Sequence, residues 1–190
     1  MPLYNQPADS QKPVEYKCHY QYPGDENGIL FFIGSDYGDG FFINPHALGK
    51  IKNSLSSLYQ GQAVYRSEDL SNRSLNIYIA TEDFPYSFAK LDLGKRKRLL
   101  CNHYTLQGRN YDANHLRNWQ FLASNDDASW TLLDEQKDNF SVGLNAWFEK
   151  PVQTSTYYRY FMIRQSGFSS SGDQILTLGQ WEFYGTLALI

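Results

Sequence analysis

The sequence predicts an all-β sandwich or barrel, and three observations predict it. Short runs rich in β-branched and aromatic residues recur along the chain, turn-forming clusters separate them, and the periodicity of an amphipathic helix is nearly absent. The clearest runs are Ile29–Ile33, Leu75–Ala80, Tyr86–Leu93, Leu99–Leu106, Trp119–Ser124, Trp130–Leu133, Asn145–Glu149, Tyr157–Gln165 and Leu176–Leu187. With 190 residues, 42% hydrophobic, 16% aromatic and 19% charged, the chain can fill one sizeable core and is too apolar to remain disordered.

Taken in order, residues 1–13 carry Pro2, Pro7 and Pro13 among polar neighbours and read as an extended arm, leaving 14–190 for the sandwich. Ile29–Ile33 is the longest apolar run and reads as a strand. The one helix candidate of substance is Pro45–Leu58, with Asn44 as cap and Pro45 in the first turn. In Leu75–Ile79 the apolar positions 75, 77 and 79 share a face, as in a half-buried strand. Tyr157–Gln165 is apolar or aromatic on both faces, so a central strand is expected there. Ser124–Ser129 reads as a hairpin connection whose side chains bond their own backbone. Trp119 and Trp130 flank it, each expected to bury its ring and to need an acceptor for its indole N–H. Arg159, among aromatic neighbours, needs a partner, and Asp92 is the expected one.

Composition also excludes. A net charge of −3 argues against nucleic acid, and no apolar run approaches the roughly 20 residues of a membrane span. The N-terminus has no basic start and no hydrophobic stretch, which favours a cytoplasmic setting, and Cys18 and Cys101 read as reduced, buried thiols. His19, His46, His103 and His115 lack metal-ligand spacing, and no nucleophile elbow, phosphate loop or HExxH is present. Neither catalysis nor a cofactor is expected. Asp25, Asp36 and Asp39 lie in two neighbouring acidic loops and are weak calcium candidates, outweighed by simple solvation of the loops. Lys95–Arg98, the one strong basic run, reads as a solvated turn.

What remains is binding. Fifteen tyrosines exceed what one core consumes, and Tyr, Trp, Phe and Arg are the residues interfaces favour. Loops 22–28, 34–44 and 166–172 are the expected functional surface, with Tyr22, Asp25, Tyr37, Phe41, Asn44, His46 and Phe168 as candidate contacts to a protein partner. The alternative is a glycan, with Tyr37, Phe41 and Phe42 as platform and Asn44, His46 or Arg66 as polar groups.

Five blocks with compatible spacing carry a resemblance. Ser56-Ser57, Asp92-Leu93-Gly94, the stretch Trp119–Trp130, Arg159–Ile163 and Trp181–Gly185 run in the order seen in the discoidin, or coagulation factor 5/8 type C, family, which the chain resembles over residues 56–185. The resemblance implies a galactose-binding-like jelly-roll sandwich with Asp92, Trp119, Trp130, Arg159 and Trp181 as structural landmarks. Ala123 and Asp127-Ala128 depart from its pattern, where a Gly and an Asp-Gly turn are usual. Upstream, Gly24–Ile29, Ile33-Gly34 and Asn44–His46 are similar to the lead-in of an intracellular branch, whose domains are appended to ubiquitin ligases and BTB adaptors. That branch implies a protein-interaction module, a subunit or adaptor of a larger assembly. Cytoskeletal and ciliary assemblies are settings in which small proteins of this fold occur.

Overall fold

A computed structural model of the chain describes residues 13–61 and 64–190. The expected arm therefore lies, apart from Pro13, outside the described residues.

Two antiparallel sheets face each other. The first runs β1 (Val14–Cys18), β11 (Gln180–Leu189), β5 (Lys97–Gln107) and β8 (Trp147–Pro151) in spatial order. The second runs β2 (Lys52–Leu55), β4 (Phe88–Asp92), β9 (Tyr160–Gln165), β6 (Trp119–Ser124) and β7 (Thr131–Gln136). A short pair, β3 (Ile79–Ala80) with β10 (Thr177–Leu178), closes one end. This is the jelly-roll sandwich that the resemblance implied.

The core is built by the period-2 alternation of the strands. Ala89 and Leu91 of β4, Phe161 and Ile163 of β9, and Phe121 and Ala123 of β6 point inward from one sheet, all fully buried. Tyr104 and Leu106 of β5 and Phe183 and Leu187 of β11 answer from the other. At its centre the Phe121 ring lies 4.3 Å from Tyr104 and 5.8 Å from Phe183, centroid to centroid. Tyr104 also crosses the core chemically. Its hydroxyl accepts the Trp119 indole N–H at 3.1 Å and donates to the Asp134 carboxylate at 2.7 Å, so one satisfied chain joins the two sheets.

Several expectations held. Trp119–Ser124 is a strand with those bounds, β9 is the middle strand of its sheet, and Trp119 finds its acceptor. Arg159 clasps Asp92 through two bonds, Nε to Oδ1 at 2.6 Å and Nη2 to Oδ2 at 2.7 Å. Burial pushes the Asp92 carboxyl up, but the bonds from Arg159 and from the Gly94 N–H outweigh it and hold the group below its ordinary value. The 124–129 connection bonds its own backbone as expected: Ser124 Oγ accepts the Asp126 and Asp127 N–H groups, and Asp126 accepts those of Ala128 and Ser129.

Others are corrected. Ile29–Ile33 is not a strand; with Gly34 it forms α1 (Ile29–Gly34), the single α-helix among the described residues. An apolar run of five does not discriminate between the two, and here a distant carboxylate on β11 receives the first N–H groups. The helix expected over 45–58 is a turn at 45–49 followed by β2, because pairing with β4 claims Lys52–Leu55. Leu75 and Asn76 form a turn instead of extending, and of the run only Ile79–Ala80 pairs. Trp130 is half-buried at the start of an edge strand and is no part of the core cluster, whereas Trp181 is buried in it.

Candidate functional site

Ladder register gathers one set of loops at one end of the sandwich. Gln107 is opposite both Trp147 and Gln180, and Trp119 is opposite both Gln165 and Gln136. The connections 108–118, 137–146 and 166–176 must therefore emerge together. Their backbones are then tied: Asn114 N–H donates to Ser171 Oγ, His115 N–H to Ser170 Oγ, and Ser170 N–H to the His115 carbonyl, all at 2.9 Å.

Two cavities flank this zipper. The more enclosed, about 170 Å³, is lined by Tyr59, Tyr65, Ala80, Arg109, Tyr111, Asn114 and Ile175. Arg109 is only 7% exposed. Its guanidinium lies 4.2 Å from the Tyr78 ring centre and 5.1 Å from that of Tyr111. Nη2 donates to the Tyr78 hydroxyl at 2.9 Å and Nη1 to Asn114 Oδ1 at 3.2 Å, while the buried Nε–H has no partner among the described residues. Asn114 in turn donates to Asp173. A hydrogen bond to Tyr78, reinforced by burial, raises the Tyr65 hydroxyl above its ordinary pKa. Arg109 forms no ion pair among the described residues, so a nearly buried cation is held by aromatic faces and neutral oxygens alone.

The second cavity is an open groove of about 510 Å³ between the 137–146 and 166–176 loops, walled by Arg117, Asn118, Asp138, Phe140 and Phe168. Phe140 and Phe168 are 76% and 61% exposed. Arg117 lies 4.9 Å from the Phe140 ring centre, and burial lowers its pKa.

The residues singled out from sequence do not converge on one surface. Phe168 is in the groove, but Tyr37 packs against Tyr16 of β1 and Phe32, half-buried on the core cluster. Phe41 stands free at 98% exposure and Tyr22 is exposed. Asn44 and His46 order the turn before β2: Asn44 Oδ1 accepts the His46 N–H, and His46 Nδ1 accepts the Asn53 N–H. Phe42 stacks on Phe31 under Arg73 rather than offering a platform. Asp25 is buried and accepts the N–H groups of Gln21, Tyr22 and Asn27, while Asp36 pairs with Lys50 at 2.7 Å. Among the described residues no group of three or more His, Cys, Asp or Glu is placed to hold a metal ion, so the calcium candidates do not form a site. Sequence reasoning missed Arg109 and its tyrosines. Tyr59, Tyr65, Tyr78 and Tyr111 come from four separate segments, and the only trace of them in the sequence is the surplus of tyrosine.

A loop-ended antiparallel sandwich with this topology is the galactose-binding-like fold. Comparison with known proteins agrees. No family model matches the chain. It is 32% identical over 171 residues to the E3 ubiquitin-protein ligase Ufd4 of Drosophila melanogaster, covering 85% of this chain and 6% of the ligase. It is 30% identical over 126 residues to a BTB/POZ domain-containing protein of Arabidopsis thaliana, covering 65% of the chain and 16% of that protein. The chain thus spans a small part of the curated relatives it matches. Among solved structures, it resembles a family 32 carbohydrate-binding module of Clostridium perfringens in complex with GalNAc-β-1,3-galactose, at a TM-score of 0.56 and 14% identity, over 72% of this chain and 96% of the module. The C-terminal domain of a Bacteroides fragilis chitobiase gives a TM-score of 0.59 at 14% identity, over 73% and 95%.

Proposed function

We propose that the chain is a non-catalytic, intracellular protein-recognition module, an adaptor or subunit of a larger assembly, that grips its partner with the loop end of the sandwich. The observation that carries this reading is Arg109, a nearly buried cation at the mouth of the fold with no ion pair among the described residues. Phe140, Phe168 and Tyr111, all more than 60% exposed, surround that end with the aromatic surface that anchors interfaces. Similarity to parts of a ubiquitin ligase and a BTB protein supports the same reading, since each is a large protein in which such a module is one piece.

The test uses the full chain and a Tyr111→Ala/Phe168→Ala variant as baits in cytosolic extract. A stoichiometric protein partner held by the wild type and lost by the variant, at unchanged melting temperature, is the expected result. A partner retained equally by both overturns the assignment to this end. A second reading, carbohydrate binding, is favoured by the sugar bound to the Clostridium module of the same fold. Specific glycan-array hits, lost in the same variant and unaccompanied by any protein partner, would establish it instead.

A further inference from the structure

Recognition at this end leaves the entering group to be named, and the inference that follows rests on the reading above. We propose that the Arg109 cavity receives a carboxylate from a peptide partner, an Asp or Glu side chain or a C-terminus, set against the guanidinium between Tyr59, Tyr65 and Tyr111.

Charge is the first argument. Of the partly buried arginines, Arg159 has Asp92 and Arg73 lies 3.7 Å from buried Glu182, while Arg98, Arg117 and Arg164 donate to backbone carbonyls or to the Gln120 amide. Arg109 is more buried than any of these and has no directly paired acid among the described residues, Asp173 being reached only through Asn114. A guanidinium carries five N–H donors; among the described residues Nη2 and Nη1 spend one each on Tyr78 and Asn114, and the buried Nε–H has no partner. Buried charges in proteins are ordinarily paired, and a carboxylate is the partner whose geometry fits a guanidinium.

Size is the second. Small-molecule sites usually enclose roughly 300–1,000 Å³. At about 170 Å³ this cavity admits one side chain or chain end and is too small for an extended sugar. A phosphate, with close to two charges, calls for a cluster of cations, and Arg109 is the single cation lining the cavity among the described residues.

Preorganisation is the third. The Tyr78 ring supports the guanidinium from below, Asn114 fixes one edge, and Ser171 and Asp173 fix Asn114. The donors are held in place before any ligand arrives, which lowers the cost of binding. Tyrosine walls exclude water and strengthen a charge-assisted bond.

A random peptide display library, selected on the full chain and then on synthesised hits by titration calorimetry, tests this. Selected peptides should share an Asp, Glu or free C-terminus, and replacing that group by its amide should weaken binding at least tenfold. Arg109→Lys keeps the charge but loses the fork and should weaken the acidic peptides at least tenfold. Tyr111→Ala, at an exposed position, should weaken them while leaving the melting curve unchanged, so the test survives if Arg109→Lys fails to fold. Peptides that bind this end equally well as acid and amide overturn the carboxylate inference and leave the recognition reading standing. Galacturonate or glycan binding that depends on Arg109, with no peptide selected, overturns both.

Discussion

Glu182 ties together three parts of the chain that are far apart in sequence. It is buried on β11, and its carboxylate accepts the N–H groups of Leu30 at 2.8 Å, Phe31 at 3.1 Å and Phe183 at 2.9 Å. Arg73, 3.7 Å away, also donates to the carbonyls of Gly24 and Asp25, binding the 24–28 loop into the same cluster. The carboxylate fits only because residue 28 has no side chain. A Cβ at Gly28 would lie 2.0 Å from Glu182 Cγ. Gly28→Ala should therefore destabilise the fold by about 1–3 kcal/mol, the usual cost of overpacking. Urea unfolding checks it, and an unchanged midpoint would show that the helix can shift away from β11 freely. Tyr104 is the matching case inside the core. Tyr104→Phe leaves the buried Trp119 N–H without its acceptor, while half-buried Asp134 keeps its bond from Gln136, and should cost about 1–3 kcal/mol although nearly all its apolar contacts persist.

At the scale of elements, the pairing of β11 with β5 shows how a local irregularity sets the core. Tyr184 is opposite His103 and Gly185 is opposite Cys101, so Asn102 is an extra residue on β5. The extra residue flips the alternation, which lets Leu99 and Cys101 on one side of the bulge and Tyr104 and Leu106 on the other all face inward. Asn102 is not left unpaired, since its carbonyl accepts the Val152 N–H at 2.9 Å. The bulge needs the glycine. Gly185 has φ +139°, and a Cβ there would sit 2.0 Å from the Leu100 carbonyl oxygen. Gly185→Ala should lower the melting temperature by about 4–8 °C, corresponding to about 2 kcal/mol in a chain of this size. A shift under 1 °C would mean that β5 absorbs the side chain by sliding.

That glycine also shows what the sequence could reveal. Trp181–Gly185 is recognisable as a block because each of its residues answers a fixed local demand, and the same holds for Asp92 with Arg159 and for the 124–129 turn. Periodicity found the strands that form the middle of each sheet, where one face is packed and the other is covered. It failed where distant partners decide. Glu182 turns Ile29–Ile33 into a helix, β4 draws Lys52–Leu55 into a strand, and the Arg109 cavity is assembled from residues as far apart as Tyr59, Tyr65, Ala80, Tyr111 and Ile175. No local pattern announces a cavity whose walls meet only after the sheets close.

For the molecule as a whole, solvent-shielded groups make predictions that a surface reading would not. Cys18 and Cys101 both sit opposite Gly185, one on each side of β11, so they are two strand spacings apart, roughly 9–10 Å. That exceeds the span of a disulfide, and burial pushes both thiols up to about 12, with Glu182 and Asp25 adding to the shift at Cys18. At neutral pH iodoacetamide should leave both unmodified in the native chain and label both once it unfolds. Labelling at a rate independent of denaturant would show that β1 opens locally.

The pH dependence of stability follows from the same burial. Glu182 is raised from 4.5 to about 7, chiefly by burial, against the pull of three backbone N–H groups and Arg73. Between those values the native chain holds a proton that the unfolded chain has released, so stability falls as pH rises through that window, by on the order of 3 kcal/mol in total. His46 and His103 work the other way. Burial lowers both, so the unfolded chain binds their protons first, and their share of stability grows as pH rises towards 6.5. The two effects separate in a Glu182→Gln variant, which cannot titrate at that position. Measured by urea unfolding at pH 5 and pH 7.5, the wild type should lose stability relative to the variant, because only the wild type must pay for ionising a buried acid. Parallel profiles would mean that Glu182 is already charged at pH 5, and that the amides of α1 with Arg73 outweigh its burial.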